Sequence, residues 1–537
     1  MPVWVPVILP VFAAAVGYYL PRRAYRLWLS ATQIAEVVIV TLLFLEVRAD
    51  GPVRTVVAGW PDGAGIALSA DLFSSLLVAL AGWFFLFMLA FAARKHYTNR
   101  LFMFLFVTLE GLLIGTFLSG DLFNVYVLLE LSTLVVSILI MYKRDKQTLY
   151  DGMFYLMMNL ASMSFMLLGI GFVYRALGSL DFSQIAVRAA AVSNPRSLIV
   201  PFALVFTGVG LKSAFFLLNA WLPKAHGAPS APSIVSAILS GIQVKAGVYL
   251  VVRMLELFGA ALPLQPLLLA LGFAGAVSGF VLAMAQEQIK LVLAYSTISQ
   301  IGLIVVGLAA GTQAQFYGAL LHVVNHAFAK ALLFLCAGIM IHRYGTKKLA
   351  QIRGVFRTMP LIGVAAAAGI LAIVGTPLFN GSISKYLIQG TLVWEPVQLG
   401  ILLVNLGTAT TFAKFATVLF GAPSTQAASG ELSRQPDPWT TGVVLVLGLS
   451  CLAAGIFAAP IIRTLFQTDL SISGALATQK LVIYAVTVGL ALLIYRFVVR
   501  GSRVLAWIGG RTFYFNDVMA GVVLLFATTV AYLALSV

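Results

Sequence analysis

Charge is what this chain has least of: Asp, Glu, Lys and Arg make up 10% of its 537 residues, less than half their share in ordinary soluble domains. That scarcity excludes both a soluble globular enzyme and a disordered chain. Cysteine is nearly absent. Cys336 and Cys451, the only two, sit in apolar stretches and offer neither a disulfide framework nor a metal knuckle. Acidic residues are fewer than basic ones, 18 against 34, giving a net charge of +16 and a pI near 9.9. In a soluble chain that balance would suggest nucleic-acid binding. Here no basic run lies on a long polar segment, so that partner is excluded. The longest polar segments, about 48–66, 176–197 and 421–438, leave no room for a nucleotide-binding or extracellular domain. Within the second, 180–194 reads as a short surface helix.

What is present is apolar length. Hydrophobic residues make up 61% of the chain and the mean hydropathy is +1.01. At about 20 residues per crossing, sixteen spans can be counted, near 2–20, 27–47, 71–91, 101–119, 122–142, 152–174, 198–218, 231–252, 262–285, 291–310, 314–342, 358–392, 394–420, 439–458, 481–495 and 517–536. The expected fold is an all-α polytopic membrane protein of 14–16 transmembrane helices. The first span lacks a positive leading region and is followed by Arg22, Arg23 and Arg26, so it reads as a transmembrane helix rather than a cleaved signal peptide. Lys and Arg alternate between connections: 21 fall in the odd-numbered ones, Arg434 among them, and 8 in the even-numbered ones. By the positive-inside rule both termini lie outside the cytoplasm, with a prokaryotic inner membrane as the expected location.

Five lysines remain inside spans: Lys212, Lys245, Lys330, Lys385 and Lys414. A charge in hydrocarbon costs several kcal/mol, so each is a functional-site candidate unless it snorkels to an interface. Lys414, six residues from the end of its span, is open to both readings. Two spans are interrupted beside a lysine, one by Asn219-Ala220-Trp221-Leu222-Pro223 and the other by Gly375-Thr376-Pro377. Paired Gly/Pro interruptions point to a transporter of inverted repeats with an ion site near the midplane, a proline kink being the plain alternative.

Glu130 lies about eight residues into its span and is the carboxylate expected to pair with a lysine. His322, His326 and Lys330 recur at intervals of four on one helix stripe. Such a set suits proton movement, because desolvation disfavours the charged ammonium while a nearby carboxylate restores it. The alternative is a static buried ion pair. Glu36 and Glu110 are also intramembrane, and either a proton path or a buried hydrogen bond accounts for them. His322 and His326 share the i, i+4 spacing of zinc ligands, but the segment lacks the glutamate of HExxH, so no metal site is assigned. The stretch from Gly208 to Ser213 looks like a phosphate loop but lacks the glycine before its lysine. Asp121 and Asn124 read as an N-terminal cap.

Five long motifs then follow in order. They are Gly120-Asp121-Leu122-Phe123-Asn124 through Glu130-Leu131; Lys212 with Trp221-Leu222-Pro223-Lys224-Ala225-His226, Ala231-Pro232 and Lys245; Leu293-Ala294-Tyr295-Ser296-Thr297-Ile298-Ser299-Gln300; His322 through Leu335; and Gly375-Thr376-Pro377 through Ser384-Lys385. Over residues 70–420 they resemble the antiporter-like subunits shared by Mrp cation/proton antiporters, respiratory complex I and membrane-bound hydrogenases. The resemblance implies a fourteen-helix subunit with two inverted five-helix repeats, near 101–253 and 262–420. These would be flanked by N-terminal helices over 1–100 and C-terminal helices over 439–537, the last pair being an addition that could meet a partner. It also implies a proton route through Glu130, Lys212, Lys245, His322, His326 and Lys385, with Lys330, Lys414, Glu110 and Asn219 as further candidates. Leu217 and Asn219 replace the Pro and His of many members, so Asn219 would be an altered relay step, and Ser382 replaces a common Phe.

A lysine at 385, together with the chain length, fits a D-type member of the Mrp antiporters, working with other membrane subunits, protons and Na⁺ or another monovalent cation. A proton-pumping subunit of a complex I-like or hydrogenase-like redox complex is the alternative, and a non-conducting scaffold the third reading. No redox cofactor, nucleophile or nucleotide site is visible, so an enzyme activity of its own is not expected.

Overall fold

The computed structural model describes residues 2–60, 65–95, 97–227, 231–390, 396–422, 435–476 and 478–537; Arg434, counted above among the connection charges, lies outside them. Among the described residues, fourteen helices are long and apolar enough to cross a membrane, and two shorter apolar helices, Val5–Tyr19 and Pro360–Val374, bring the number to the expected sixteen. At 1.5 Å per residue those two cover about 22 Å of a core about 30 Å thick.

The N-terminal group is α1 (Val5–Tyr19), α2 (Arg22–Asp50) and α3 (Leu72–Ala92), followed by α4 (Arg100–Leu118), α5 (Leu122–Ile140) and α6 (Lys146–Leu177). The surface helix expected over 180–194 is α7 (Phe182–Ala190), which buries Ile185 and Ala189. The first broken span is α8 (Ile199–Lys212) and α9 (Trp221–Gly227). The next crossing is α10 (Ser233–Ile238) and α11 (Val244–Phe258), joined by a π-helical turn over Leu239–Gln243. Then come α12 (Leu264–Ala285), α13 (Ile289–Ala309), α14 (Gln313–Tyr344) and the short α15 (Val355–Thr358). The second broken span is α16 (Pro360–Val374) and α17 (Asn380–Gln389), followed by α18 (Pro396–Ala416), α19 (Pro438–Ile456), α20 (Ala458–Phe466), α21 (Thr478–Ile494), α22 (Arg503–Gly509) and α23 (Phe515–Ser536).

Five of the 18 acids are spent on helix starts. Asp71, Asp121, Asp145, Asp181 and Asp437 each accept backbone N–H groups at an N-terminus, satisfying donors that hydrocarbon could not. The Asp121 cap expected from the sequence is among them, accepting from the Asn124 N–H at 2.7 Å. One departure from all-α is a two-stranded antiparallel hairpin, β1 (Val53–Val56) and β2 (Ala67–Ala70). It forms in the polar connection after α2, where a loop held against the bundle must pair its own backbone groups.

The most apolar 18-residue stretch of 233–258 is wholly buried and that of 289–309 nearly so, whereas that of 478–499 is 11% buried; the core is therefore the layer holding α10, α11 and α13. The C-terminal addition, expected to meet a partner, packs on this chain. α21 lies against α18, and α23 against α6 and α8. A Cβ at Gly521 of α23 would stand 2.6 Å from the Leu217 carbonyl oxygen in the first break, and Tyr484 Oη of α21 stands 2.7 Å from Thr376 Oγ1 in the second.

Candidate functional site

Both breaks are sharp reversals rather than proline kinks. Ala214 and Leu217 in the first, and Leu378 in the second, adopt positive φ of 52°, 77° and 72°, strained for side chains with a Cβ and held only where packing imposes it. Gly375, at φ 87°, ends α16 without that strain. Each break leaves helix carbonyls without intrahelical donors, and a lysine sits at each such end. Lys212 is the last residue of α8, and the neighbouring Leu211 carbonyl accepts from Trp221 Nε1 at 2.7 Å. Lys385 Nζ lies 3.4 Å from the carbonyl of Val374, the last residue of α16. The negative end of α16 thus faces the Lys385 amine, while Lys212 is itself the last residue of α8.

Lys245 lies just after the π turn and donates to the Ser240 carbonyl at 2.6 Å, with His326 Nδ1 also 2.6 Å from its Nζ. The His322 and His326 rings are 6.2 Å apart. His322 Nδ1 is 2.8 Å from Ser384 Oγ, and its Nε2 is 3.0 Å from Gln300 Oε1. Ser384 precedes Lys385 in the chain. A buried line therefore runs Lys245, His326, His322, Ser384, Lys385, every member 6% exposed or less.

On the other side of Lys245, toward Lys212, stand neutral groups. Lys212 Nζ donates to Thr133 Oγ1, and Ser132, the preceding residue on α5, accepts from Gln243 Nε2 at 3.3 Å. The expected Glu130–Lys212 ion pair is not formed. Glu130 Oε2 is buried with no partner, one turn of α5 from the Thr133 that Lys212 has taken, and still within electrostatic reach of it.

The further candidates divide. Lys330 is buried and donates to the Leu293 carbonyl at 3.0 Å and to Ser296 Oγ, so it braces α14 against α13. Lys414 neither snorkels nor joins the line: it donates to the Met284 and Gln286 carbonyls at 2.5 and 2.6 Å, closing the end of α12. Glu110 accepts from Gln33 Nε2 at 2.7 Å, among the N-terminal helices with Glu36 nearby. Asn219 is buried in the first break.

Sequence reasoning missed the neutral members Thr133, Ser132, Ser240, Gln243, Gln300 and Ser384. Gln300 and Ser384 lie inside the motifs quoted above without a role given to them, and the only signal of the others is polarity inside apolar helices. It also assigned Lys290 to a connection, whereas Lys290 donates to the Ala231 carbonyl at 2.8 Å. Lys290 lines a cavity of about 590 Å³ together with Arg94, Lys95, Lys143, Ser233 and Lys347. Among these, Lys347 lies outside the spans; burial holds its ammonium below the usual range although Asp145 opposes the shift.

Residues 119–412 match the family described as NADH:quinone oxidoreductase/Mrp antiporter, transmembrane. The NADH-quinone oxidoreductase subunit N of Desulforudis audaxviator is 32% identical over 495 residues, 86% of this chain and 97% of that protein. The antiporter subunit mnhD2 of Staphylococcus aureus is 28% identical over 487 residues, 89% of this chain and 97% of its own length. Among solved structures, a chain of the Mrp complex from a Dietzia species superposes with TM-score 0.79 at 22% identity, covering 90% of this chain and 99% of that one. A chain of the archaeal membrane-bound sulfane sulfur reductase matches with the same TM-score at 25% identity, covering 90% and 99%. With more than half of its length matched by the family and a relative above 30% identity over most of it, this chain belongs to the NADH:quinone oxidoreductase/Mrp antiporter transmembrane family.

Proposed function

We propose that this chain is the proton-translocating subunit of an Mrp-type multisubunit cation/proton antiporter and moves protons along the buried line. The observation that carries the reading is the run in which the Lys245 amine meets His326, the His326 ring stands 6.2 Å from that of His322, and His322 meets Ser384, the residue before Lys385 in α17. Lys245 and His322 each have two partners, which a relay uses and a static brace does not need.

The ammonium of Lys245 and an imidazolium at His326 would compete for one proton position, so charge on one displaces it from the other. Glu130 supplies the control. A side-chain movement that brings Lys212 back from Thr133 to Glu130 would favour the charged lysine, and the return would release its proton. The basic cavity beside Lys290 is the access from the cytoplasmic face in this reading, and the cargo exchanged is Na⁺ or another monovalent cation. The chain carries ions without a redox or hydrolytic site of its own. It sits in a prokaryotic inner membrane with both termini outside, its two broken helices at matching places in inverted repeats over 101–253 and 262–420.

A second reading, favoured by the relative from NADH-quinone oxidoreductase, makes the chain a proton-pumping subunit of a redox complex. Purification with native partners in mild detergent separates the two. Small antiporter subunits in the purified complex support the first reading; a set of redox subunits overturns it in favour of the second.

A further inference from the structure

The cavity beside Lys385 is closed by a helix that stands outside the two broken-helix repeats. It measures about 80 Å³ and is bordered by Gly375, Ser382 and Lys385 of the second broken span and by Lys480, Tyr484 and Thr487 of α21. At about 10–15 Å³ per water molecule, it has room for several. Among the described residues, none that lines it is acidic, so two amines face one small volume with no described carboxylate between them.

Two contacts hold Lys480 toward this space. Its Nζ is 3.5 Å from Gln389 Oε1 and 5.1 Å over the ring of Tyr386, both on α17 with Lys385. One turn along α21, Tyr484 is bonded to Thr376 in the break itself. The titratable groups facing Lys480 across the cavity are thus Lys385, Tyr386 and Tyr484. Lys480 is half-buried and Lys385 buried, so the pair steps from the interior toward the edge of the bundle. With the basic 343–357 connection in the cytoplasm, the C-terminal end of α17 and the start of α21 both lie toward the opposite face.

We propose that Lys480 is a further proton-transfer site, accepting from Lys385 across this cavity and carrying the route outward through the C-terminal addition. The transfer is from the Lys385 ammonium through water to the Lys480 amine, which then releases the proton to the outer aqueous phase. This rests on the proton-line reading above.

The test uses membrane vesicles holding the assembled complex, with proton movement followed by a pH-sensitive dye over a range of pH. Lys480→Met should lower transport at least fivefold. Lys480→Arg keeps a cation on Tyr386 and a donor to Gln389 but cannot give up its proton, so it should fail like Met. Lys480→His should restore transport with its optimum moved to lower pH. Wild-type transport in Lys480→Met, or rescue by Lys480→Arg, overturns the site, the second outcome showing a structural cation only.

Thr487→Cys leaves Lys480 in place while lining the same cavity, and the native Cys336 and Cys451 are buried, which keeps background labelling low. A membrane-impermeant maleimide added from the non-cytoplasmic side should label it and stop transport; labelling without effect on transport contradicts the route. Lys245→Ala in parallel keeps the two readings apart, because loss there with a normal Lys480→Met removes only the outward extension.

Discussion

Lys245 Nζ stands 2.6 Å from His326 Nδ1 and 2.6 Å from the Ser240 carbonyl, with both side chains fully buried. One of the two nitrogens donates and the other accepts: the amine, charged or neutral, donates to the imidazole, or an imidazole N–H donates to a neutral amine. The π turn creates this geometry. Lys245 follows this turn by two residues, and its amine reaches back to the Ser240 carbonyl inside it.

His322 joins two branches, Ser384 toward Lys385 and Gln300, whose own amide donates to Thr408 Oγ1 at 3.0 Å. His322→Ala should reduce proton transport at least tenfold. It should also cost about 1–3 kcal/mol, because Ser384 and Gln300 lose a partner in a site closed to water. Thermal melting of the detergent-purified complex checks the second part and vesicle transport the first. Unchanged transport would remove His322 from the route.

The approach of α11 to the first break depends on Gly247. A Cβ there would overlap the backbone of Lys212 and Ser213. Gly247→Ala should therefore push α11 away from the lysine end of α8, destabilise by about 1–3 kcal/mol, and depress transport through displacement of Lys212. Lower melting temperature together with lost transport is the expected pair of results.

How much of this was legible in the sequence follows from what a membrane helix tolerates. Lys212, Lys245, Lys385 and the two histidines stood out because charge is costly in hydrocarbon. Thr133, Ser240, Gln300 and Ser384 did not, because hydroxyl and amide side chains are ordinary glue between such helices. The expected Glu130–Lys212 pair instead became Lys212–Thr133, a choice of one helical turn that periodicity cannot resolve. The hairpin of Val53–Val56 with Ala67–Ala70 lacks alternating apolar residues, and the docking of α21 and α23 on the two breaks depends on contacts about 100 and 300 residues apart in sequence. Residue spacing along one helix carries neither.

Lys414 separates position from role. Its bonds to the Met284 and Gln286 carbonyls terminate α12, a capping task worth about 1 kcal/mol. Lys414→Met should lower the melting temperature by about 1 °C and leave the pH profile of transport unchanged. A changed profile would place Lys414 on the route after all.

Outside the spans, Arg54 of β1 binds Asp181 at 2.7 Å while Asp181 caps α7. Burial raises the Asp181 carboxyl, but the Ser183 hydroxyl and the Arg54 guanidinium outweigh it and hold it below the usual carboxylate range. A depressed carboxylate stabilises the fold above its unfolded value, near 4, and that contribution is lost as pH falls through the lower folded value. Asp181→Asn should flatten this acid limb. The change should be about 1 kcal/mol or less, since Arg54 is partly exposed; melting curves from pH 6 downward check it.

The most direct measurement is proton transport by assembled complexes carrying Lys245→Ala or Lys385→Ala, in vesicles where wild type acidifies or alkalises the lumen on a cation pulse. The buried line predicts abolished proton movement in both with subunit composition intact, and wild-type transport in an assembled Lys245→Ala complex would contradict it.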